Sequence, residues 1–256
     1  MTSILEARGL TRKFGGLTAV DNADITVHEH SLHGLIGPNG AGKTTFVNMI
    51  TGVDSIDGGI VMFEGKDVTG LRSFRMASLG MARSFQTSQL FEEESVLSNV
   101  MAGRHRHIDY GFPHTFFYTP KTRRVEHANR QRCMALLEQL NLADDAKRLV
   151  AELPYGRRRL VEMARAIASE PTLLVLDEPA AGLPGSDVEA LGEALVSLSK
   201  SGYTVLIIEH NLGLLMSICD QLTVLSEGRV IADGDPGVVR ADPQVIEAYI
   251  GRSDDA

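Results

Sequence analysis

Apolar residues fall into runs of distinct spacing along this chain, and each spacing predicts a different element. Residues 4–10 and 23–27 show partial alternation of apolar and polar positions, as half-buried strands do, with Gly15-Gly16 as the turn between them. Residues 33–36 run into a glycine-rich loop, behind which residues 45–50 open a helix, and residues 58–66 predict a hairpin. From roughly residue 90 to 168 the pattern turns helical, most clearly over 128–140 and 157–168. Two continuous apolar runs follow, 173–176 ending at Asp177 and 204–208 ending at Glu209-His210, with a helix from about 187 to 199 between them. Such runs separated by helical spacing predict parallel strands buried on both faces. Short strands at 222–225 and 229–232 flank the turn Glu227-Gly228, and Asp242-Pro243 opens a last helix in cap-then-proline order.

Composition narrows the possibilities without naming a chemistry. A chain of 256 residues can bury one large core, or a core plus a subdomain. Its 43% hydrophobic and 23% charged residues are an ordinary globular balance. A net charge of −8 argues against non-specific nucleic-acid binding by the whole surface. No run approaches the ~18 apolar residues of a membrane-spanning helix. Glu6 and Arg8 fall where a signal peptide would carry its apolar stretch, so no secretory signal is expected. Cys133 and Cys219 stand far apart without metal-ligand spacing and read as structural thiols of a reducing compartment.

Two motifs carry chemistry. Gly37, Pro38, Asn39, Gly40, Ala41, Gly42, Lys43 and Thr44, followed by Thr45, fit the phosphate-binding pattern G-x-x-x-x-G-K-[ST]. Glycines let the backbone turn its amides toward phosphate oxygens, Lys43 can reach the terminal phosphates, and Thr44 can ligate Mg²⁺. The match lies between a strand-like and a helix-like run, the context such a loop needs. Asp177-Glu178 closes a buried strand, at the edge where α/β proteins bind ligands. There Asp177 would hold Mg²⁺ and Glu178 would polarise an attacking water.

With both motifs present, the chain resembles the nucleotide-binding subunits of ABC transporters over nearly its whole length. The resemblance implies an α/β P-loop NTPase core with an antiparallel β subdomain and a helical subdomain. It makes residues 1–256 a single ATP-binding domain, with the helical part inserted at approximately 88–168. It assigns Phe14 to stacking on adenine, Gln86 to Mg²⁺ or the lytic water, and His210 to the γ-phosphate. Leu153-Pro154-Tyr155-Gly156-Arg157 occupies the place of the signature sequence, usually LSGGQ, whose helix N-terminus serves ATP bound by the other chain. Leu160, Met163, Ala164 and Ile167 share one face of the helix behind it. Pro154 replaces the serine and Arg157 the glutamine, and Pro184 stands where the family usually has aspartate or asparagine.

Finer text is similar to the branched-chain amino acid importer group (LivG-like): Arg83-Ser-Phe-Gln-Thr, Leu90-Phe91, the signature tyrosine, Pro179-Ala-Ala-Gly-Leu and Ala248-Tyr-Ile-Gly251. That resemblance implies ATP and Mg²⁺ as cofactors and a second, different cassette as partner. It also implies transmembrane permeases, a substrate-binding protein upstream, and a place on the cytoplasmic face of the membrane. Relatives that move urea, short amides or lipopolysaccharide share much of this text.

Three other readings compete. His28, His30 and His33 invite a metal site but bracket a turn. Residues 104–132 hold seven Lys/Arg with interleaved aromatics, which resembles a nucleic-acid surface, although a helical insertion facing a partner explains them as well. An ABC ATPase acting on nucleic acid would need a coiled-coil insertion or a second cassette in the chain, and neither occurs, so no nucleic-acid partner is expected. A non-hydrolysing regulatory binder is disfavoured because Lys43, Asp177, Glu178 and His210 are all present.

Overall fold

The structure is a computed structural model that describes residues 2–84, 90–105 and 120–250. The chain divides into two units, one of residues 1–83, 172–181 and 195–256, the other of residues 84–171 and 182–194.

The first unit carries two sheets. In one, β1 (Ser3–Phe14), β2 (Leu17–His28), β4 (Gly58–Phe63) and β5 (Lys66–Asp67) pair antiparallel in the order β2-β1-β4-β5. β1 and β2 run beyond their alternating segments because the hairpin ladder continues to Phe14 opposite Leu17, on either side of Gly15-Gly16. The other sheet has the order β10-β9-β3-β8-β7-β6. Its strands are β3 (Leu32–Ile36), β6 (Met81–Ser84), β7 (Leu173–Asp177), β8 (Thr204–Ile208), β9 (Gln221–Ser226) and β10 (Arg229–Gly234). β3 pairs parallel with both β8 and β9, and β7 parallel with β8. Every residue of β3, β7 and β8 is buried. Burial on both faces is why their text is continuously apolar rather than alternating.

Helix α1 (Lys43–Ile50) follows β3 and buries Phe46, Val47, Met49 and Ile50 in a core shared with Leu5, Leu10, Leu35, Phe63, Val175 and Ile208. Phe46 and Phe63 are fully enclosed, each worth roughly 1.5–3 kcal/mol of apolar burial. Three further helices of this unit are too short to show periodicity in the sequence: α2 (Ser73–Leu79), α7 (Leu212–Ile218) and α8 (Pro236–Ala241). α8 repeats the cap-then-proline start expected of the last helix, α9 (Pro243–Ile250). Asp235 accepts from the Gly237 N–H, as Asp242 accepts from that of Gln244. α6 (Gly185–Lys200) starts two residues before the expected helix.

In the second unit, α3 (Val96–Gly103) packs against both α4 (Pro120–Gln139) and α5 (Tyr155–Ile167). Val96, Val100, Leu137, Val161 and Ala164 are wholly shielded there. Arg104 is buried too; it donates to Asn129 and to the Ala168 carbonyl, and it pairs with Glu170 at 2.7 Å. Of the basic stretch 104–132, residues 106–119 lie outside the described residues; Arg123, Arg124, Arg130 and Arg132 are exposed on α4. Both cysteines are free, and burial raises their thiols, Cys219 to about 12.

His33 of the three-histidine group lies fully buried in β3, its Nε2 2.7 Å from Thr223 Oγ1, and His30 Nδ1 lies 2.6 Å from the Gly202 carbonyl oxygen. Burial pushes the His33 imidazole down to about 4, and His28 adds to this; Asp233 at 4.0 Å opposes it without restoring the charge. The unfolded chain therefore takes up a proton near pH 6.5 that the folded chain refuses until about pH 4, so stability is lost as pH falls through that window. Between pH 7 and 5 this one group is expected to cost roughly 2 kcal/mol. Urea unfolding at both pH values checks it: the drop should be smaller by about that amount in His33→Gln, and equal drops would show that the imidazole is already charged when folded.

Candidate functional site

The glycine loop is built by close backbone approaches. Gly37 follows β3 directly, and a Cβ there would collide with the Leu225 carbonyl oxygen in β9. Gly42 adopts φ 97° and caps α1; a Cβ on it would strike the Ala19 carbonyl oxygen in β2. Only glycine meets both demands without strain. Gly228 N–H donates to the Ala41 carbonyl at 2.9 Å and Asp21 N–H to the Gly228 carbonyl at 2.8 Å, so the β9–β10 turn ties the loop to β2. The result is a cleft of about 450 Å³ lined by Leu17–Ala19, Asn39–Thr45, Glu178 and the Glu227-Gly228 turn. The first-turn amides of α1 and the positive end of its dipole suit an anion.

Lys43 is buried at the start of α1 and donates to the carbonyls of Gly37 at 2.7 Å and Pro38 at 3.0 Å. Burial lowers its ammonium below the usual lysine value, and the nearby Glu178 and Asp177 carboxylates oppose that shift. Thr44, next on the helix, is exposed to the cleft. Two carboxylates therefore sit near one lysine at the end of a buried strand.

Glu178 takes a left-handed backbone, φ 48°, just beyond β7. Such a conformation costs a non-glycine residue of order 1 kcal/mol or more and persists only when neighbours hold it. Here its N–H donates to the Ile208 carbonyl at 2.8 Å, and its own carbonyl accepts from Ala181 N–H at 3.1 Å. Asp177 lies behind it, buried, and receives Arg83 Nη2 at 2.6 Å; Arg83 also donates to Asn48 Oδ1 and Thr51 Oγ1 of the α1 segment. His210 lies two residues beyond the end of the neighbouring strand β8, with its ring 60% exposed. Phe14 stands at the β1–β2 turn, exposed, with the Arg12 guanidinium 4.7 Å above its ring; Leu17 to Ala19 line the cleft instead. Gln86 lies outside the described residues.

A family model described as "ABC transporter" matches residues 20–181, a span running from the wall of this cleft through both motifs. The chain belongs to the ABC transporter family. A second model, "Branched-chain amino acid ATP-binding cassette transporter", matches residues 229–255. The high-affinity branched-chain amino acid transport ATP-binding protein BraF of Pseudomonas aeruginosa is 40% identical over 251 residues, covering 98% of each chain. The corresponding LivG protein of Escherichia coli is 36% identical over the same share. A crystal structure of the ADP conformation of an ATP-binding cassette of an ABC transporter superposes with a TM-score of 0.85 at 34% identity, covering 98% of this chain and all of that one. The expected fold, an α/β P-loop ATPase with an antiparallel sheet and helices, is the fold of these cassettes.

The segment that resembles the signature sequence forms the N-terminus of α5, with Pro154 as the capping position rather than in the first turn. Leu153 is buried and Tyr155 half exposed, with Arg159 5.4 Å over its ring. Gly156 is buried, and a Cβ there would overlap the Asp187 carboxylate of α6. Arg157 pairs with the buried Asp145, donating to it through both Nε and Nη2. Burial would raise the Asp145 carboxyl, but hydrogen bonds from Arg157 and Arg148 hold it below the usual carboxylate value. Nothing in the sequence around Arg83, Asp145 or Asp187 marks these contacts; Arg83 carries only a group resemblance.

Proposed function

We propose that ATP hydrolysed in this cassette drives uptake of branched-chain amino acids, with the cassette paired to a second, different one beneath transmembrane permeases. The observation that supports the reading is the phosphate loop from Asn39 to Thr45 and Glu178 around one cleft, in a chain whose relatives at 40% and 36% identity carry that transport name. No helix among the described residues is long and apolar enough to cross a membrane. In this reading the cassette attaches at the cytoplasmic face through the permeases, with a substrate-binding protein delivering the solute on the far side.

In the proposed reaction, the amides of residues 39–45 and the Lys43 ammonium hold the phosphates, and Glu178 orients the attacking water. His210 approaches the terminal phosphate from the next strand, Gln86 serves Mg²⁺ or the lytic water, and Phe14 stacks on the base. Leu153, Tyr155 and Gly156 serve ATP held by the partner. The oxygen donors present suit Mg²⁺, which takes hydroxyls, carboxylates, phosphates and waters. Thr44 and Asp177 would hold it, and since Arg83 already engages one Asp177 oxygen, the outer-sphere role through water fits that carboxylate. When bound, Mg²⁺ neutralises charge developing on the phosphates.

Purification from native membranes, followed by reconstitution with the co-purifying subunits and binding protein, tests the proposal. A second cassette and permeases should co-purify, and leucine, isoleucine or valine should stimulate hydrolysis severalfold. Stimulation by urea or a short amide, with none by these amino acids, would reassign the substrate.

A further inference from the structure

Glu209 is completely buried, and its carboxylate accepts hydrogen bonds from main-chain N–H groups of the two segments that carry chemistry. Oε1 accepts from Ala180 N–H at 2.6 Å, two residues beyond Glu178. Oε2 accepts from His210 N–H at 3.1 Å and Asn211 N–H at 3.4 Å, and lies 3.8 Å from His210 Nδ1. Asn211 in turn caps α7 by accepting from Leu214 N–H at 3.0 Å. One side chain thus bridges the loop after β7 and the segment after β8. It acts where the backbone is least favourable: Glu178 sits at φ 48°, fixed on one side by the Ile208 carbonyl and on the other by the turn that ends at Ala180 and Ala181.

We propose that Glu209 is a positioning residue for hydrolysis, setting the Glu178 turn and the His210 main chain in one register through these three amides. An ionised carboxylate offers acceptors only, which is what three converging N–H groups require. Glutamine in its place keeps the size and one acceptor but turns an NH₂ group toward at least one donor, so one contact becomes a donor–donor clash. The reach of the catalytic groups then shifts by a fraction of an ångström to an ångström, a displacement that can cost on the order of 10² in rate. The loop around Lys43 is tied separately, by the Gly228 N–H to the Ala41 carbonyl and by Lys43 itself to the Gly37 and Pro38 carbonyls, so nucleotide affinity is carried by other bonds.

The inference rests on the reading of Glu178 and His210 given above, and the test keeps the two apart by measuring Glu209→Gln, Glu209→Asp and Glu178→Gln in the assembled transporter. Glu209→Gln should lower kcat 10- to 100-fold with KM for ATP within threefold. The complex should also retain unhydrolysed ATP, as is expected of Glu178→Gln. Glu209→Asp, which keeps the acceptors one methylene short, should fall between; if the glutamine variant does not assemble, this variant decides. Unchanged kcat, or loss of kcat in step with loss of ATP affinity, would overturn the proposal while Glu178→Gln stays inactive. An active Glu178→Gln would instead overturn the underlying reading, and Glu209 with it.

Discussion

The Glu178→Gln cassette, assembled with its partners, is expected to lose at least a hundredfold in turnover while binding ATP as tightly as before. Glutamine preserves the shape of the side chain and the φ 48° turn, because that turn is held by the main-chain bonds to Ile208 and Ala181. It removes the carboxylate proposed to orient water and accept its proton, a contribution typically worth ~10²–10⁴, or about 3–5.5 kcal/mol of barrier. The phosphate contacts remain, since Lys43 and the amides of residues 39–45 are untouched. Lys43→Ala makes the opposite change and should lose nucleotide affinity first, because phosphate charge then faces Glu178 and Asp177 without a cation beside it. Steady-state hydrolysis together with equilibrium nucleotide binding separates the two variants. Near-normal hydrolysis by Glu178→Gln would remove this residue from the reaction.

What could be read along the chain was whatever is written in consecutive residues. The strands β3, β7 and β8 announce themselves because burial on both faces leaves no room for polar residues. The loop at 37–44 is equally local, since glycines at fixed spacing are demanded by contacts with Ala19 and Leu225 that tolerate no side chain. Long-range pairs leave no such trace. Arg83 and Asp177 stand 94 positions apart, and nothing in either neighbourhood says that one guanidinium holds the other's carboxylate. Glu209 reads as a polar stop at the end of an apolar run, although its side chain turns inward to three amides. Helices α2, α7 and α8 escape for a different reason, being shorter than two full periods of the helical repeat. The roles of Phe14 and Gln86 came from family order alone. Phe14 stands exposed beside the cleft rather than among the residues that line it.

Disabling the two catalytic glutamates of the assembled pair one at a time is expected to give unequal losses, with Glu178→Gln removing most hydrolysis and the partner's equivalent change removing little. In the proposed pair each ATP would lie between one chain's phosphate loop and the other chain's signature helix. The signature helix here begins at Pro154, which has neither a hydroxyl nor an N–H to give a γ-phosphate. Arg157, where the family has glutamine, is drawn toward Asp145, to which its Nε and Nη2 both donate. The Asp187 carboxylate leans on Gly156 in the first turn of α5, placing negative charge at the dipole end that a phosphate would need. Each change weakens the same clamp, and loss of a single preorganised donor commonly costs ~10²–10³ in rate. The site completed by Leu153, Tyr155 and Gly156 should therefore turn over slowly, while the site on Gly37–Thr44, completed by a fuller partner signature, turns over fast. Asp187→Asn offers a second handle: if the carboxylate repels the partner's phosphate, neutralising it should raise the slow site's rate severalfold without changing the fast one. Equal losses from the two glutamate variants, or two identical chains in the pair, would show that a proline-led signature serves ATP as well as a serine-led one.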